Sequence, residues 1–351
     1  MSKFDVTTST GSYPVIIAEG AFREELATGG HDLVLADRFF AATLADAPVP
    51  VVFVDAEEER KNLFEVDRIL GEFSEHRLTR GGSVIALGGG IVQDLGTMAA
   101  SVYMRGISWT YAPSTLMSMA DSCIGGKSSL NVSGTKNLAG NIYPPSSVVV
   151  DPEFIATLDA EDVVAGLGEA VKIAFCAGPD AFDSYLRHFA DRAHWEPLIE
   201  GVLTAKKWFI EIDEFDRAER RLLNFGHTFG HALETATDFS VNHGVAIVVG
   251  MLAATSLRSR MFAVTAADEP LKEHCQAILG EVPDLGPRLE RVDLERFRAA
   301  FLKDKKHPAD ALRVVLPKTD VIGVEEVSLP RTAEVLDEVD AALMTAIGMA
   351  A

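Results

Sequence analysis

His227 and His231 stand four residues apart in Asn224-Phe-Gly-His227-Thr-Phe-Gly-His231-Ala-Leu-Glu234, and His243 follows in Asn242-His243-Gly244. On a helix that spacing stacks two imidazoles on one face, a turn apart. One can then ligate a metal while the other meets a substrate beside it. A pair of histidines satisfied within a polar helix is the plain alternative, because short motifs match by chance. A third ligand would decide between them. Gly168-Glu169-Ala-Val-Lys172 offers one: Glu169 and Lys172, at i and i+3, share a helix face. Surface ion pairing is the default for that spacing, but Val163-Val-Ala-Gly-Leu before and Ile173-Ala-Phe after are apolar, so the face is expected to be buried. A buried glutamate needs a cation. With His227 and His243 it would form an O/N/N set that leaves a coordination position open for substrate, as catalytic zinc requires.

Other polar groups extend this chemistry. Arg220 and Asn224 precede His227 and His231 so that one helix face would read Arg, Asn, His, His, and Lys206 lies shortly upstream. Asp121-Ser-Cys-Ile-Gly-Gly-Lys127-Ser-Ser-Leu-Asn131 and Thr135-Lys136-Asn137 form a Gly- and Ser-rich stretch. It is either a solvated loop or one that holds a polyhydroxylated phosphate ester, with lysines for phosphate and amides and carboxylates for hydroxyls. Leu87-Gly88-Gly89-Gly90-Ile91-Val92-Gln-Asp94 runs from a strand into a helix. It can be a tight turn, or a place where backbone N–H groups approach a pyrophosphate. Lys303-Asp-Lys305-Lys306-His307 reads by itself as a solvated charged turn.

Two kinds of element must position these groups. In the first 150 residues, Asp32–Asp37, Val51–Asp55, Ser83–Leu87, Ser108–Ala112 and Ser147–Asp151 are strand-length apolar runs separated by helix-length segments. They predict a parallel sheet with covering helices. From Pro152 onward, helical stretches are predicted over Ala160–Ala177, Pro179–Phe189, Pro197–Glu214, Arg220–Thr237, Val245–Phe262 and Leu271–Leu279, with late strands at Leu312–Leu316 and Asp320–Val324. The domains expected are therefore 1–151, α/β, and 152–351, mostly helical, with the site in the cleft between them.

The chain has 351 residues, enough for about two domains, and 32 basic against 52 acidic residues give it a formal charge of −20. That charge disfavours nucleic-acid and anionic-membrane surfaces and makes clustered lysines and arginines conspicuous. The first residues carry no apolar core of a signal peptide, no apolar run reaches the length of a membrane span, and three cysteines show no paired spacing. A cytoplasmic protein is expected.

These motifs together resemble the 3-dehydroquinate synthases and, more broadly, the NAD-dependent sugar-phosphate cyclases. The resemblance is collinear over most of the chain. It takes in Gly88-Gly-Gly-x-x-x-Asp94, Tyr103-Met-Arg105-Gly, Pro113-Ser114-Thr115-Leu, Asp121-Ser-x-x-Gly-Gly-Lys127, Lys136-Asn137, Gly168-Glu169-x-x-Lys172, Asn224-Phe-Gly-His227-Thr-x-Gly-His231, His243-Gly and Asp304-Lys305-Lys306. It implies an N-terminal Rossmann-like α/β domain, its parallel sheet covered by helices on both faces, followed by a mostly α-helical metal-binding domain. It implies Glu169, His227 and His243 as ligands of zinc, or of cobalt in its place. It implies NAD+ on Glu58, Lys61, Gly89, Gly90, Ile91, Val92, Asp94, Ser114, Thr115, Lys136, Phe154 and Thr157. The substrate set implied is Arg105, Asp121, Lys127, Asn137, Lys172, Lys206, Arg220, Asn224, His231 and one lysine of the Lys305-Lys306 pair, taken as Lys306.

The implied reaction is a redox-neutral lyase. NAD+ takes a hydride from a ring alcohol, phosphate leaves by β-elimination, the hydride returns, and an intramolecular aldol step closes a carbocycle. Zinc would polarise the oxygen, the cations would bind the substrate's anionic groups, and His231 would help move protons. A homodimer acting on a small sugar phosphate is implied, in the shikimate pathway of aromatic amino acid biosynthesis.

The chain also departs from the family pattern. Val245 stands where the family usually has Glu after His-Gly, Ser114-Thr115 replaces a Thr-Thr pair, and Ser128-Ser129 follows Lys127. Loss of a carboxylate beside His243 points toward a sibling cyclase acting on a neutral sugar phosphate to make a valiolone- or inosose-type cyclitol. The retained cations favour 3-deoxy-arabino-heptulosonate 7-phosphate. A metal-dependent alcohol dehydrogenase, which would accumulate NADH, is the rival of another class.

Overall fold

Strands β3 (Leu33–Asp37) and β5 (Ser83–Gly88) are buried along nearly their whole length, which is why their sequences read as unbroken apolar runs rather than alternating ones. In the computed structural model, which describes residues 1–262 and 267–350, the chain divides into two units. One comprises Met1–Leu158 with Trp195–Leu203, the other Asp159–His194 with Thr204–Ala351.

The first unit carries β1 (Ser2–Thr8), β2 (Gly11–Ile17), α1 (Ala21–Thr28), β3, β4 (Val51–Val54), α2 (Leu63–Glu75), β5, α3 (Gly90–Val102), β6 (Ser108–Pro113), β7 (Lys127–Val132), β8 (Thr135–Ile142) and β9 (Ser147–Val150). Its sheet runs β1-β2-β9-β6-β5-β3-β4. The five expected strands are all present and pair in parallel. Strand β3 lies between β4 and β5, so the order reverses there, and the glycine turn after β5 falls at this switch point. In open α/β sheets that is where ligands bind, beyond the carboxyl ends of the strands.

Two hairpins escaped the periodicity. β1 pairs antiparallel with β2, which joins β9 in parallel; β1 is a half-exposed edge with a largely polar sequence. The Gly- and Ser-rich stretch is not a loop: Lys127–Val132 and Thr135–Ile142 form an antiparallel hairpin. Its two-residue turn, Ser133 and Gly134, has φ of 51° and 76°, as a type I′ turn requires. The unit also extends beyond Asp151 to Leu158. The Asp151 carboxylate accepts from the N–H groups of Gly20 and Phe22, and the Phe154 ring packs on Phe22 and Phe40.

The second unit holds α4 (Ala160–Ala177), α5 (Pro179–Phe189), most of α6 (Glu196–Ile212), α7 (His227–Ala236), α8 (His243–Met261), α9 (Glu269–Leu279), α10 (Leu285–Leu289), α11 (Leu294–Leu302), β10 (Ala311–Pro317), β11 (Val324–Pro330) and α12 (Ala333–Ala350). The ends of α4 and α5 fall as expected.

Three differences matter. The helix expected over Arg220–Thr237 is interrupted: Glu219–Asn224 is a 3₁₀ turn, and Gly226, at φ 77°, precedes α7. Arg220, Asn224, His227 and His231 therefore do not share one helix face. The strand expected over Asp320–Val324 begins only at Val324, because the segment before it is the turn of the β10–β11 hairpin. The C-terminal helix α12 was not anticipated; it packs on α8. Helix α8 is long and apolar enough to span a membrane, but 83% of that stretch is buried inside the protein, so it is a core helix.

Candidate active site

In the first unit a network gathers several of the expected cofactor residues. The Lys61 ammonium lies 3.1 Å from Asp94 Oδ2, 3.6 Å from Glu58 Oε1, and donates to Asn137 Oδ1 at 2.8 Å. Ser129 donates to both Asp94 and Asn137, and Asn131 donates to Glu58 while accepting from the Asn137 N–H. Burial raises the Asp94 pKa, and Lys61 and Ser129 offset only part of that rise. Asn137, expected among the substrate residues, is thus bonded into the Lys61–Asp94 group. The β7–β8 register does this, and a one-sequence reading of a loop could not have supplied it.

Gly89 caps α3, where a Cβ would come within 3.0 Å of Thr115; beside Gly90 the space is open. Ser114 N–H donates to Gly88 O, tying the end of β6 to the glycine turn. Ile91 is half-buried, whereas Val92 is fully buried and packs on Gly88. Phe154 packs in the core cluster around Phe22 and Phe40, and Thr157 donates to the Phe154 carbonyl; both lie outside the Lys61 network. Lys127 lines a cavity of about 420 Å³ with Asp94, Ser128, Ser129 and Asn141. Asp121 sits in a π-helical turn, Ser118–Ser122, and Lys136 is exposed on β8. Arg105 is exposed at φ 70°, between Met104 at 48° and Gly106 at 115°, a strained run of the kind found at functional sites.

In the second unit, close helix crossings assemble the ligand-type residues. A Cβ on Gly244 would come within 2.4 Å of Ala165, and one on Gly168 within 2.9 Å of the Gly244 carbonyl. Glycine at both positions lets α4 and α8 touch backbone to backbone, which brings His243 beside Glu169. Gly226 plays the same part between α7 and α8: a Cβ there would lie 2.8 Å from the Ile247 carbonyl. The outcome is Glu169 Oε1 at 3.4 Å from His243 Nε2 and 3.6 Å from His227 Nε2. Two ligand atoms on a tetrahedral zinc at about 2.0–2.1 Å are separated by about 3.4 Å, so these spacings suit one ion.

The rear nitrogens are also engaged. His227 Nδ1 is 3.3 Å from the Phe225 carbonyl, and His243 Nδ1 is 3.1 Å from Glu234 Oε2. One ring nitrogen from each of His227, His231 and His243 lies within 4.8 Å of the other two, which makes His231 a neighbour of the pair.

The electrostatics are severe. Glu169 and Lys172 are only 2% and 3% exposed and are hydrogen-bonded to each other. Burial raises the Glu169 pKa, but Lys172 and His243 outweigh it and hold the carboxyl well below its usual range. Burial lowers His243, yet Glu169 and Glu234 carry it up to about 10. Burial, with Lys172 next, keeps His227 well below its ordinary value. Burial, with His243 next, lowers His231 to about 4. Two carboxylates facing one imidazole require a positive charge between them, which a proton or a divalent metal can supply.

Lys206 and Arg220 are buried as well. The Arg220 guanidinium donates to the Glu214 carbonyl, and Asp213 accepts three N–H groups of the loop that carries it. Of the lysine pair, Lys305 is exposed, while the Lys306 Nζ is buried 3.7 Å from Asp304 and lowered in pKa by burial. Both line a cavity of about 230 Å³ with Asn224, Thr228, Asp216, Arg221, Arg313 and Glu326. Glu234 and Ser129 carry no role in the sequence reading, and Asn131 enters it only as an amide of the Gly- and Ser-rich stretch; each acts through a contact made across elements.

A solved 2-epi-5-epi-valiolone synthase from Streptomyces hygroscopicus subsp. jinggangensis 5008, with NAD+ and Zn2+ bound, superposes at a TM-score of 0.79 with 25% identity, covering 95% of this chain and 96% of that one. A 2-deoxy-scyllo-inosose synthase complexed with carbaglucose-6-phosphate, NAD+ and Co2+ also reaches 0.79, at 20% identity over 98% and 99% of the two chains. The fold is that of the dehydroquinate-synthase-like cyclases.

The sequence narrows this further. A model of the 3-dehydroquinate synthase N-terminal region matches residues 51–165, and one of the C-terminal region matches residues 166–307. The 3-dehydroquinate synthase of Leuconostoc citreum (strain KM20) is 36% identical over 268 residues, 76% of this chain and 73% of the relative. The chain belongs to the 3-dehydroquinate synthase family, and is a lyase-type enzyme acting on a phosphorylated substrate.

Proposed function

We propose that the chain is a 3-dehydroquinate synthase that uses NAD+ and a divalent metal, zinc or cobalt, to convert 3-deoxy-arabino-heptulosonate 7-phosphate to a carbocycle with loss of phosphate. The observation that carries this is Glu169 Oε1 at 3.4 and 3.6 Å from two imidazole nitrogens, paired with Lys172 and held in a unit that also buries the cations Lys206 and Arg220. Relatives bearing the enzyme's name and cyclases of the same fold with NAD+ and Zn2+ or Co2+ support it. Glu169, His227 and His243 would hold the metal, whose chemistry when bound is to polarise a ring oxygen. Glu58, Lys61, Asp94, Asn137 and the glycine turn would receive NAD+ at the sheet's switch point.

The chain's own residues do the rest. Lys172, Lys206, Arg220 and Lys306 bind anionic groups and orient the sugar. His231, neutral and partly exposed, takes or returns a proton at a ring hydroxyl, and Asn224 hydrogen-bonds a hydroxyl nearby. Several cations in one unit of an otherwise acidic chain favour a substrate with both carboxylate and phosphate over a neutral heptulose phosphate. Val245 is fully buried, so the missing family carboxylate is a loss inside the protein rather than at an open surface. The same reading puts the enzyme in the cytoplasm.

The test is to incubate purified protein with NAD+, zinc and a panel of sugar phosphates, following inorganic phosphate, cyclic product and absorbance of NADH. Consumption of the heptulosonate phosphate, with one phosphate released per product and no net NADH, is expected. Turnover confined to a neutral heptulose phosphate would assign the chain to the cyclitol-forming siblings. Accumulation of NADH would make it a dehydrogenase.

A further inference from the structure

His243 is the first residue of α8, and its side chain is more than twice as exposed as that of His227, 36% against 15%. The helix fixes its backbone but not the direction of its ring. That direction is set by two carboxylates, Glu169 on the Nε2 side at 3.4 Å and Glu234 on the Nδ1 side at 3.1 Å. Glu234 lies on α7, seven residues beyond His227, and its carboxylate is 13% exposed.

A carboxylate only accepts, so with a metal ion in place of a proton on Nε2, the remaining proton of His243 resides on Nδ1, where Glu234 receives it. His227 has a weaker version of the same arrangement, with a neutral carbonyl at 3.3 Å behind its Nδ1. Val245 supplies no carboxylate from its own position, and its N–H is taken by Asn242.

We propose that Glu234 is a positioning residue of the metal site: it fixes the tautomer and direction of His243 and raises the basicity of the imidazole that meets the ion. This rests on the metal reading above. It also explains how the site tolerates Val245, because the acid holding His243 comes from α7 rather than from the first turn of α8. Partners of this kind tune affinity at metal-bound histidines by about 10- to 100-fold.

Zinc affinity is measured by competition with a chromophoric chelator, and the ligand field by the visible absorption of the Co2+-loaded protein, for the parent, Glu234→Ala and Glu234→Gln. Glu234→Ala is expected to weaken zinc binding within that range and to shift the cobalt bands. Glu234→Gln, whose amide oxygen still accepts from Nδ1 but carries no charge, should fall between. A role confined to folding would lower thermal stability and leave zinc affinity unchanged. A folded variant that binds zinc as tightly as the parent overturns the inference, with Glu234→Gln deciding if the alanine variant does not fold. A parent that binds no zinc overturns the metal reading and this inference together.

Discussion

At the residue scale the site is a problem of unlike charges held in little water. Glu169 and Lys172 form a buried pair, and removing one member of such a pair typically costs about 3–5 kcal/mol, because the other is left charged and unpaired. His227 is a better probe of function than either, since it is a neutral group whose loss strands no charge. His227→Ala should abolish stoichiometric zinc binding and turnover, while the far-ultraviolet circular dichroism stays that of the parent. Full activity of that variant in metal-stripped buffer would refute the ligand assignment. The types of these residues were legible in the chain: Glu169, His227 and His243 can be named from motifs. Their wiring was not, because Glu234 meets His243, and Lys61 meets Asn137 and Asp94, only through contacts between elements remote in sequence.

At the element scale, glycine turns motifs into geometry. Gly226 ends the 3₁₀ turn of Arg220 and Asn224 and starts α7 with His227, and it does so at φ 77° with the Ile247 carbonyl and Met251 packed against it. An L side chain in that conformation costs about 1–2 kcal/mol, and here the added Cβ would also meet atoms at 2.8 Å. Gly226→Ala should therefore destabilise the protein by about 2 kcal/mol or more in denaturant unfolding and weaken zinc binding. Stability within about 0.5 kcal/mol of the parent would show that the α7–α8 crossing yields easily. Periodicity placed α4, α5 and α8 well, since α4 and α8 are long apolar-rich segments and α5 is strongly amphipathic. It ran on through Phe225-Gly226 because the residues on either side keep a helical pattern. It passed over the β7–β8 hairpin because Gly, Ser and Asn dominate that sequence, and pairing between strands stabilises it rather than local propensity.

At the scale of the whole molecule, a chain of net charge −20 carries a group that opposes acidification. His274 on α9 is buried, with Nε2 at 2.9 Å from the Tyr185 hydroxyl of α5 and its ring against Phe189. Burial, with Arg192 adding to it, lowers its pKa to about 4, against about 6.5 in an unfolded chain. Between those values the unfolded state binds the extra proton. The contribution is thus fully present above about pH 6.5 and is lost as pH falls toward 4, at no more than about 1.4 kcal/mol per pH unit. His274→Gln, which keeps an acceptor for Tyr185, should flatten the fall in unfolding free energy over that window. An unaltered slope would mean that other groups govern it.

The sequence by itself determined the family, the order of an α/β part before a helical part, and the identity of the chemical groups, because these are written in local patterns and ordered motifs. The tertiary structure decided which carboxylate holds which imidazole, that Lys306 rather than Lys305 turns inward, and where the helix before His227 stops. Those depend on backbone approach at Gly168, Gly226 and Gly244 and on strand register, quantities that arise only when distant segments are packed together.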